Sequence, residues 1–434
     1  MSAAKRTVFV AGLALTVTIV AAAASVAAPS SRSSSTINVT IGDVVPLTGP
    51  LASFGPSFYK AAQIAVSQAN SAAKQAGIPL NVTISSADEG SGPSSAVSAA
   101  RQLASSGNLS CLLGGTSTSD SVAMAQAVTF PRKITQISPA ASSSVYGGEH
   151  SKGGLTFRTI QDDNFQAKVL AYFMASQLHG AKGKLVAVGG RNDSYGGPAT
   201  AAFAASWKAL GGRVTGPVLY DPNAASYDSE ASKLVAGNPV AFVIEDFPET
   251  YAKVGAALLR TGKFSANNLY TTSGFPSQIP TGTPTTALEG AWVIQPGQPT
   301  SGPLITAYNK LYASFNASPK AQQPYNTNNF DAAMLCILGA VSAHSSNGAD
   351  IAKKLQALAA PPGTAYNYLQ LNAAFKALWA GKDINFQGVS GSLDLNSNGD
   401  LNGGLIDINR YVSKNLKLLS QKQFVSNKLV AAKG

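Results

Sequence analysis

Charged side chains are scarce in this sequence, at 12% of 434 residues against 45% hydrophobic. That balance excludes a disordered chain and describes a globular one, long enough for two domains of ordinary size. Histidine is scarcer, with only His150, His179 and His344, and none stands at metal-ligand spacing from another His or a Cys. Neither a G-x-S-x-G elbow nor a Walker loop occurs, and Gly114-Gly115 lacks the third glycine and the lysine of a phosphate loop. With no nucleophile–base pair to point to, a non-enzymatic protein without metal or cofactor is expected. The chain holds 32 Lys and Arg against 21 Asp and Glu, a net charge of +11, but the basic residues are scattered. The lack of a basic stripe interleaved with aromatics argues against a nucleic-acid partner.

Cysteine is limited to Cys111 and Cys336. Each lies inside an apolar segment, LSCLLGG and AMLCILGA, which predicts buried free thiols; pairing is the alternative in an exported chain. Export is expected from the N-terminus. Lys5 and Arg6 precede an apolar run from Val8 to Ala28 and a Ser-rich stretch, Ser30 to Thr36, the order of a secretory signal, with Ser25-Val26-Ala27 as a small-residue cleavage site. If uncleaved, the run would serve as a membrane anchor. Either way the body is expected in the periplasm or at the cell surface, and no cysteine follows the run to carry a lipid.

What the sequence does contain, from Ile37 onward, is an alternation of short β-rich runs with Ala-rich amphipathic segments, the pattern of α/β units around a parallel sheet. Strands are predicted at residues 38–45, 80–86, 109–114, 134–138, 184–189, 214–220, 240–245, 269–272 and 291–295. Helices are predicted between them, with Gly77, Pro79, Pro131, Gly211 and Gly262 at the joints. Two units share a plan: an aromatic and a glycine, Phe54-Gly55 and Tyr195-Gly196, stand at a helix entrance beyond a strand's carboxyl end. In open α/β sheets that rim binds ligands, so two lobes with a cleft between them are expected.

The rims offer hydroxyls. Thr116-Ser117-Thr118-Ser119-Asp120 joins a strand to a helix, with Thr118 or Ser119 expected to cap it and open amides able to hold an anion; capping alone is the plainer explanation of any single Ser. Ser138-Pro139-Ala140-Ala141-Ser142 repeats the theme. Near the end, SLDLNSNGDL (392–401) imitates a calcium loop through Asp394, Asn396, Asn398 and Gly399, but the position of the bidentate glutamate is Leu405. A tight turn is expected instead, with Leu393 and Leu395 before it and Leu405, Ile406 and Ile408 after it forming a hairpin.

These motifs together resemble the solute-binding proteins of the leucine/isoleucine/valine-binding family, which serve ABC importers. The resemblance rests on an ordered set: IGDVVPLTGPLASFG, the loop after LLGG, KITQISPAAS, TFRTIQDDNFQAK, NDSYGGPATAAF, AFVIEDFPE, LEGAWVIQP and GSLDLNSNGDLNG. It implies a two-lobed α/β fold of the type I periplasmic-binding-protein kind, with three hinge crossings. The N-terminal lobe would be 37–157 plus 296–387 and the C-terminal lobe 158–295 plus 388–434, after a signal peptide and linker at 1–36. Ligand-binding positions carried over are Thr118, with Ser117 and Ser119 as register alternatives, Ala140, Ser142, and the covering aromatics Phe54, Tyr195 and Phe247, for which packing at a helix entrance is the bland explanation. The family's amino-acid binders place a carboxylate for the ligand ammonium where this chain has Ser273. That departure argues against a standard α-amino acid unless Asp246, Glu245 or Asp193 substitutes, and favours an amide, a urea-like compound or a carboxylic acid. The expected partners are such a small molecule and an ABC permease, with the membrane reached only through the permease or an uncleaved N-terminal segment. A membrane-anchored sensory domain on the same fold is the alternative.

Overall fold

The computed structural model describes residues 35–431 except 50, 91, 316, 317 and 320, together with residues 1 and 7. The apolar N-terminal run and its cleavage site lie outside the described residues. Among those described, no helix is long and apolar enough to cross a membrane.

The first sheet is all parallel, in the order β2 (Leu80–Asp88), β1 (Ile37–Val45), β3 (Cys111–Leu113), β4 (Thr135–Ser138), β5 (Thr156–Arg158). The second sheet runs β15-β14-β13-β10-β9-β8-β6-β7. Its parallel part comprises β6 (Leu185–Arg191), β7 (Arg213–Tyr220), β8 (Ala241–Glu245), β9 (Leu269–Thr271) and β10 (Trp292–Pro296). After β10 the chain forms four helices, Pro303–Ser314, Asn326–Ala343, Gly348–Leu358 and Leu371–Trp379, and these share one core with helix Gly55–Ala76 and strands β1, β3 and β4. A small parallel pair, β11 (Thr364–Asn367) and β12 (Ile384–Gln387), stands beside them. The chain then returns to the second sheet as antiparallel strands β13 (Leu405–Val412), β14 (Asn415–Val425) and β15 (Lys428–Ala431). It therefore passes between the two sheets three times, and the result is a two-lobed α/β fold.

Strand order explains where a ligand can enter. β1 lies between β2 and β3, and β6 lies between β7 and β8. At each of these points the connections leave toward opposite faces, opening a crevice at the carboxyl ends of the strands. The aromatic–glycine pairs sit there because helix and strand end are pressed together. A Cβ on Gly55 would stand 2.0 Å from the Pro46 carbonyl oxygen, and one on Gly196 would stand 2.4 Å from that of Arg191. Only glycine permits that approach, which leaves Phe54 and Tyr195 as the residues heading helices Gly55–Ala76 and Gly196–Ala209.

Helix Asn326–Ala343 is buried along nearly its whole length, as its all-round apolar sequence predicts. It carries one correction. Cys111 and Cys336 are joined in a disulfide across a sequence separation of 225 residues, so they are not free thiols. The apolar surroundings that suggested thiols are the core between β3 and this helix, and apolar flanks report burial without reporting what lies opposite.

A second correction concerns SLDLNSNGDL. It makes two isolated antiparallel bridges, Leu395 to Leu401 across the turn and Ser392 to Gln387 before it, and the strand after it, β13, pairs with β10 and β14 and not with the segment before the turn. Asn396 closes the turn: its side-chain oxygen accepts from the amides of Asn398 (2.8 Å) and Asp400 (3.1 Å). The Asp400 carboxylate turns inward to Arg158 Nη2 at 2.6 Å, so this carboxylate of the segment is committed to an ion pair. The short elements that alternation alone did not reveal are β5, β11, β12, the β14–β15 hairpin and helices Ser144–Gly153 and Gly348–Leu358.

Candidate functional site

The carboxyl ends of both switch points face one cleft. Its inner chamber, narrow with about 30 Å³ open to a water-sized sphere, is lined by Phe54, Ser117, Thr118, Ala140, Ser142, Tyr195, Phe247 and Ser273. These are eight of the nine positions expected from sequence; Ser119 opens instead onto a larger outer chamber. Thr116, Leu51, Gly274 and Tyr325 also line the inner chamber. Sequence reasoning passed over Thr116 as one of four consecutive hydroxyl residues. Nothing local marks Tyr325, which arrives from the start of helix Asn326–Ala343, distant in sequence, with a left-handed backbone (φ 67°).

The three expected aromatics each immediately precede a helix: Phe54 after β1, Tyr195 after β6 and Phe247 after β8. Their placement follows from local hydrogen bonding. Asp193 Oδ1 accepts from the amides of Tyr195 (3.0 Å) and Gly196 (2.9 Å), and Asp246 Oδ1 from the amide of Phe247 (2.7 Å). Tyr195 and Phe247 stack with ring centres 5.1 Å apart and planes 3° from parallel, and the Arg191 guanidinium lies over the Phe247 ring at 4.5 Å. The Tyr195 hydroxyl donates to the Ser273 carbonyl at 2.7 Å and lies 2.9 Å from Glu245 Oε2. That hydroxyl is consumed by the protein, so Tyr195 presents its ring to the chamber.

The loop after β3 corrects two expectations. The helix Thr118–Met124 is capped by Ser117, whose Oγ accepts from the Asp120 amide at 3.2 Å, and not by Thr118 or Ser119. The amides of Thr116 and Ser117 are not open to an anion: Glu89, just beyond β2, accepts both, at 2.8 Å and 3.3 Å to Oε1. The hydroxyls remain. Thr118 Oγ1 accepts from the Ser143 amide at 3.3 Å, and the buried Thr116 side chain lies beside Glu89, whose carboxyl it draws down against the raising effect of burial.

Beneath the chamber wall lie carboxyl groups that do not reach into it. Burial pushes Glu245 up to about 8, against the opposing effect of the Thr272 hydroxyl, which donates to Oε2 at 2.6 Å. Burial likewise raises Asp163 to about 7, with the Ser142 side chain and Arg158 acting the other way. Asp246 is raised by burial to about 7; the Tyr220 hydroxyl donates to it at 2.8 Å and Arg191 lies 3.7 Å away. Asp193 pairs with Arg191 Nε at 2.7 Å. Glu245, Asp246 and Asp193, the three possible substitutes for the missing carboxylate, are thus each engaged within the second lobe. Ser273 Oγ donates to Gln166 Oε1 at 3.1 Å, which fills with a neutral pair the place where an acid was expected. The inner chamber is a polar-headed, aromatic-walled space without a formal charge.

A family model described as "Periplasmic binding protein" matches residues 38–366. A leucine/isoleucine/valine-binding protein homologue from Brucella melitensis is 32% identical over 171 residues, 39% of this chain and 44% of that protein, so the chain spans less than half the length of this curated relative. Among solved structures, the leucine binding protein LivK from Thermotoga maritima superposes with a TM-score of 0.69 at 19% identity, covering 88% of this chain and 98% of that one. A solute binding protein of an ABC transporter from R. palustris, solved in complex with 4-hydroxybenzoate, superposes with a TM-score of 0.67 at 16% identity, covering 89% and 97%.

Proposed function

Because the chain belongs to the periplasmic binding protein family, we propose that it is the extracytoplasmic solute receptor of an ABC importer, taking a small carboxylic acid, amide or urea-like solute with an apolar or aromatic body. The observation that carries this reading is the lining of the inner chamber, where the hydroxyl residues Thr118 and Ser142 meet the rings of Phe54, Tyr195 and Phe247 with no ionised side chain on the walls. An α-ammonium buried there would lack a counter-charge, at a cost of about several kcal/mol. The complex of the R. palustris protein with 4-hydroxybenzoate supports a ligand of this shape on this fold.

Function follows from closure. Residues 159–162, 297–302 and 388–404 are the three passages between the sheets, and rotation about them would bring the two rims together. A solute stabilises the closed form only by the contacts that closure adds, which here are the Tyr195–Phe247 stack from one lobe and Phe54 with the hydroxyl loops from the other. Delivery to the permease then depends on the closed form.

A thermal-shift screen of carboxylic acids, amides, urea derivatives and α-amino acids tests the ligand class, since a solute that binds only the folded protein raises its melting temperature. Shifts confined to α-amino acids would contradict the reading drawn from Ser273. With the solute in hand, Tyr195→Ala and Ser142→Ala are each expected to weaken binding by about 1–3 kcal/mol in calorimetry, through lost ring burial and a lost hydrogen bond respectively. Unchanged affinity in both would place the site elsewhere.

A further inference from the structure

The joints that lead from helix into strand in the second lobe lie side by side, at the end of its sheet opposite the cleft. Arg213 N donates to the Lys184 carbonyl and Val240 N to the Leu185 carbonyl, both at 2.9 Å, while the Arg410 side chain reaches the Gly290 carbonyl at 2.9 Å and Asn267 Oδ1 at 3.0 Å. This row crosses seven neighbouring strands, β14-β13-β10-β9-β8-β6-β7, a breadth of about 30 Å at ordinary strand spacing. The seven residues of β6 set it about 20 Å from the cleft. Charge is sorted between the two ends. Asp193, Asp221, Glu245, Asp246 and Glu249 stand at or just beyond the carboxyl ends of β6, β7 and β8. At the other end Lys182 and Lys184 precede β6, Lys208 and Arg213 mark the entry to β7, and Lys233 closes the helix before β8. Arg260 and Lys263 precede β9, and Arg410, Lys414 and Lys417 flank the β13–β14 turn. All of these except Lys184 and Arg410 are exposed. Apart from Arg260, which holds Asp228 at 2.5 Å, none forms an ion pair among the described residues. Glu289 also reaches this end, where its carboxylate accepts from the amides of Ser413 (2.7 Å) and Lys414 (3.0 Å).

We propose that this end of the second lobe is a docking face for an anionic lipid surface, a contact with the membrane that needs neither the permease nor the N-terminal segment. Helix dipoles favour a cation in a helix's last turn, which accounts for Lys208, Lys233 and Arg260. They do not account for Lys182, Lys184, Arg213 and Lys263, which lie beyond the helix ends, or for Lys414 and Lys417 in a β-hairpin. In the sequence these residues are scattered singly. The parallel sheet gathers them, because each joint returns the chain to the same end. Val240, 43% exposed just before β8, places an apolar side chain in the middle of the row. A broad basic face with a valine among its cations suits a layer of lipid headgroups, where several phosphates are met at once and the valine enters the interface. A single acidic segment would cover only part of it. Docking here is independent of the solute's identity. It keeps the receptor near the membrane while the cleft, at the far end of the strands, stays clear of the lipid and open to solute.

The experiment is sedimentation of the exported protein with vesicles of phosphatidylcholine alone and of phosphatidylcholine containing about one third phosphatidylglycerol. Binding to the anionic vesicles is expected to be about ten-fold stronger or better, and to vanish near about 0.5 M salt, where screening reaches only a few ångströms. An uncleaved apolar segment would bind both vesicles alike, so the difference between them is the readout. Replacing Lys182, Arg213, Lys263 and Lys414 together by Glu is expected to abolish the preference. The same change at Lys310, Lys354, Lys376 and Lys382, exposed on the first lobe, should leave most of it. Equal binding of the wild type to both vesicles, or binding to neither, overturns the docking face. Equal loss in the two variants overturns its location, since net charge alone would then decide. Binding to soluble polyglutamate but not to anionic vesicles overturns the membrane as the partner and gives the face to an acidic macromolecule. Should the Glu variant fail to melt cooperatively, the Gln variant at the same four positions takes its place, with the same loss expected.

Discussion

Arg158→Met is expected to lower the unfolding free energy by about 3–5 kcal/mol, the usual cost of removing one partner from a buried ion pair. Arg158 is fully buried on β5, and its Nη2 meets Asp400 Oδ1 at 2.6 Å. Its Nη1 donates to the carbonyls of Ala141 (3.1 Å) and Ser143 (2.8 Å), the residues on either side of Ser142. One side chain thus ties the last strand of the first sheet, the hydroxyl loop of the chamber and the third passage between the sheets. Methionine fills the stem's volume but leaves Asp400 buried without its cation. Burial already raises Asp400 and Arg158 pulls it back, so the variant would take up a proton more readily. Asp400→Asn should cost less, because an amide oxygen can still accept from Arg158. Removing both charges, as in Arg158→Met with Asp400→Leu, should recover much of the loss. Urea unfolding of the four proteins measures this, and a single variant as stable as wild type would show that the pair is not needed.

Stability is also expected to fall as pH rises from about 5 to about 8, by an amount on the order of several kcal/mol. Burial raises Asp43, Asp163, Asp246 and Asp407 to about 7, Asp331 to about 6 and Glu245 to about 8. A raised carboxyl holds its proton in the folded state at a pH where the unfolded chain has lost it. Between the ordinary carboxylate value and the raised one, the unfolded state binds fewer protons, so unfolding becomes easier as pH increases. Below the ordinary value the stabilisation is fully present, and it is lost through the window up to about 7–8. Asp88 has the opposite sign: despite some burial, hydrogen bonds from Thr48, Gly90 and Leu47 lower it, so its contribution is lost only as pH falls below the usual carboxylate range. Asp43→Asn keeps the acceptor for Asn329 Nδ2, now at 3.0 Å, and should flatten the dependence. Melting curves at pH 5, 6.5 and 8 test the slope, and a melting temperature that rises over this range would contradict it.

Both effects arise from groups whose partners are remote in sequence, which bears on how much of the molecule was legible beforehand. The strands β1, β8 and β10 could be read within a residue or two, because each is a self-contained apolar run that ends at its own polar or Gly/Pro-rich loop. Eight of the nine site positions also reach the inner chamber. They share a local signature: a residue after a strand's carboxyl end. Short elements such as β5 and β12, of three and four residues, have too few positions to show a period. Tyr325 and Gln166 join the site only through contacts made by the folded chain.

What the sequence by itself determined is therefore the set of α/β units and the two aromatic–glycine rims, since these follow from spacing over a few residues. The tertiary structure decided everything that depends on which distant groups meet. It joined Cys111 to Cys336, gave the amides of Thr116 and Ser117 to Glu89, and set Glu89 beside Asp120 on the wall of the outer chamber. Periodicity records which face of an element is buried. It carries no information about what lies across the gap, and the charge and hydrogen-bonding of a binding site are set across that gap.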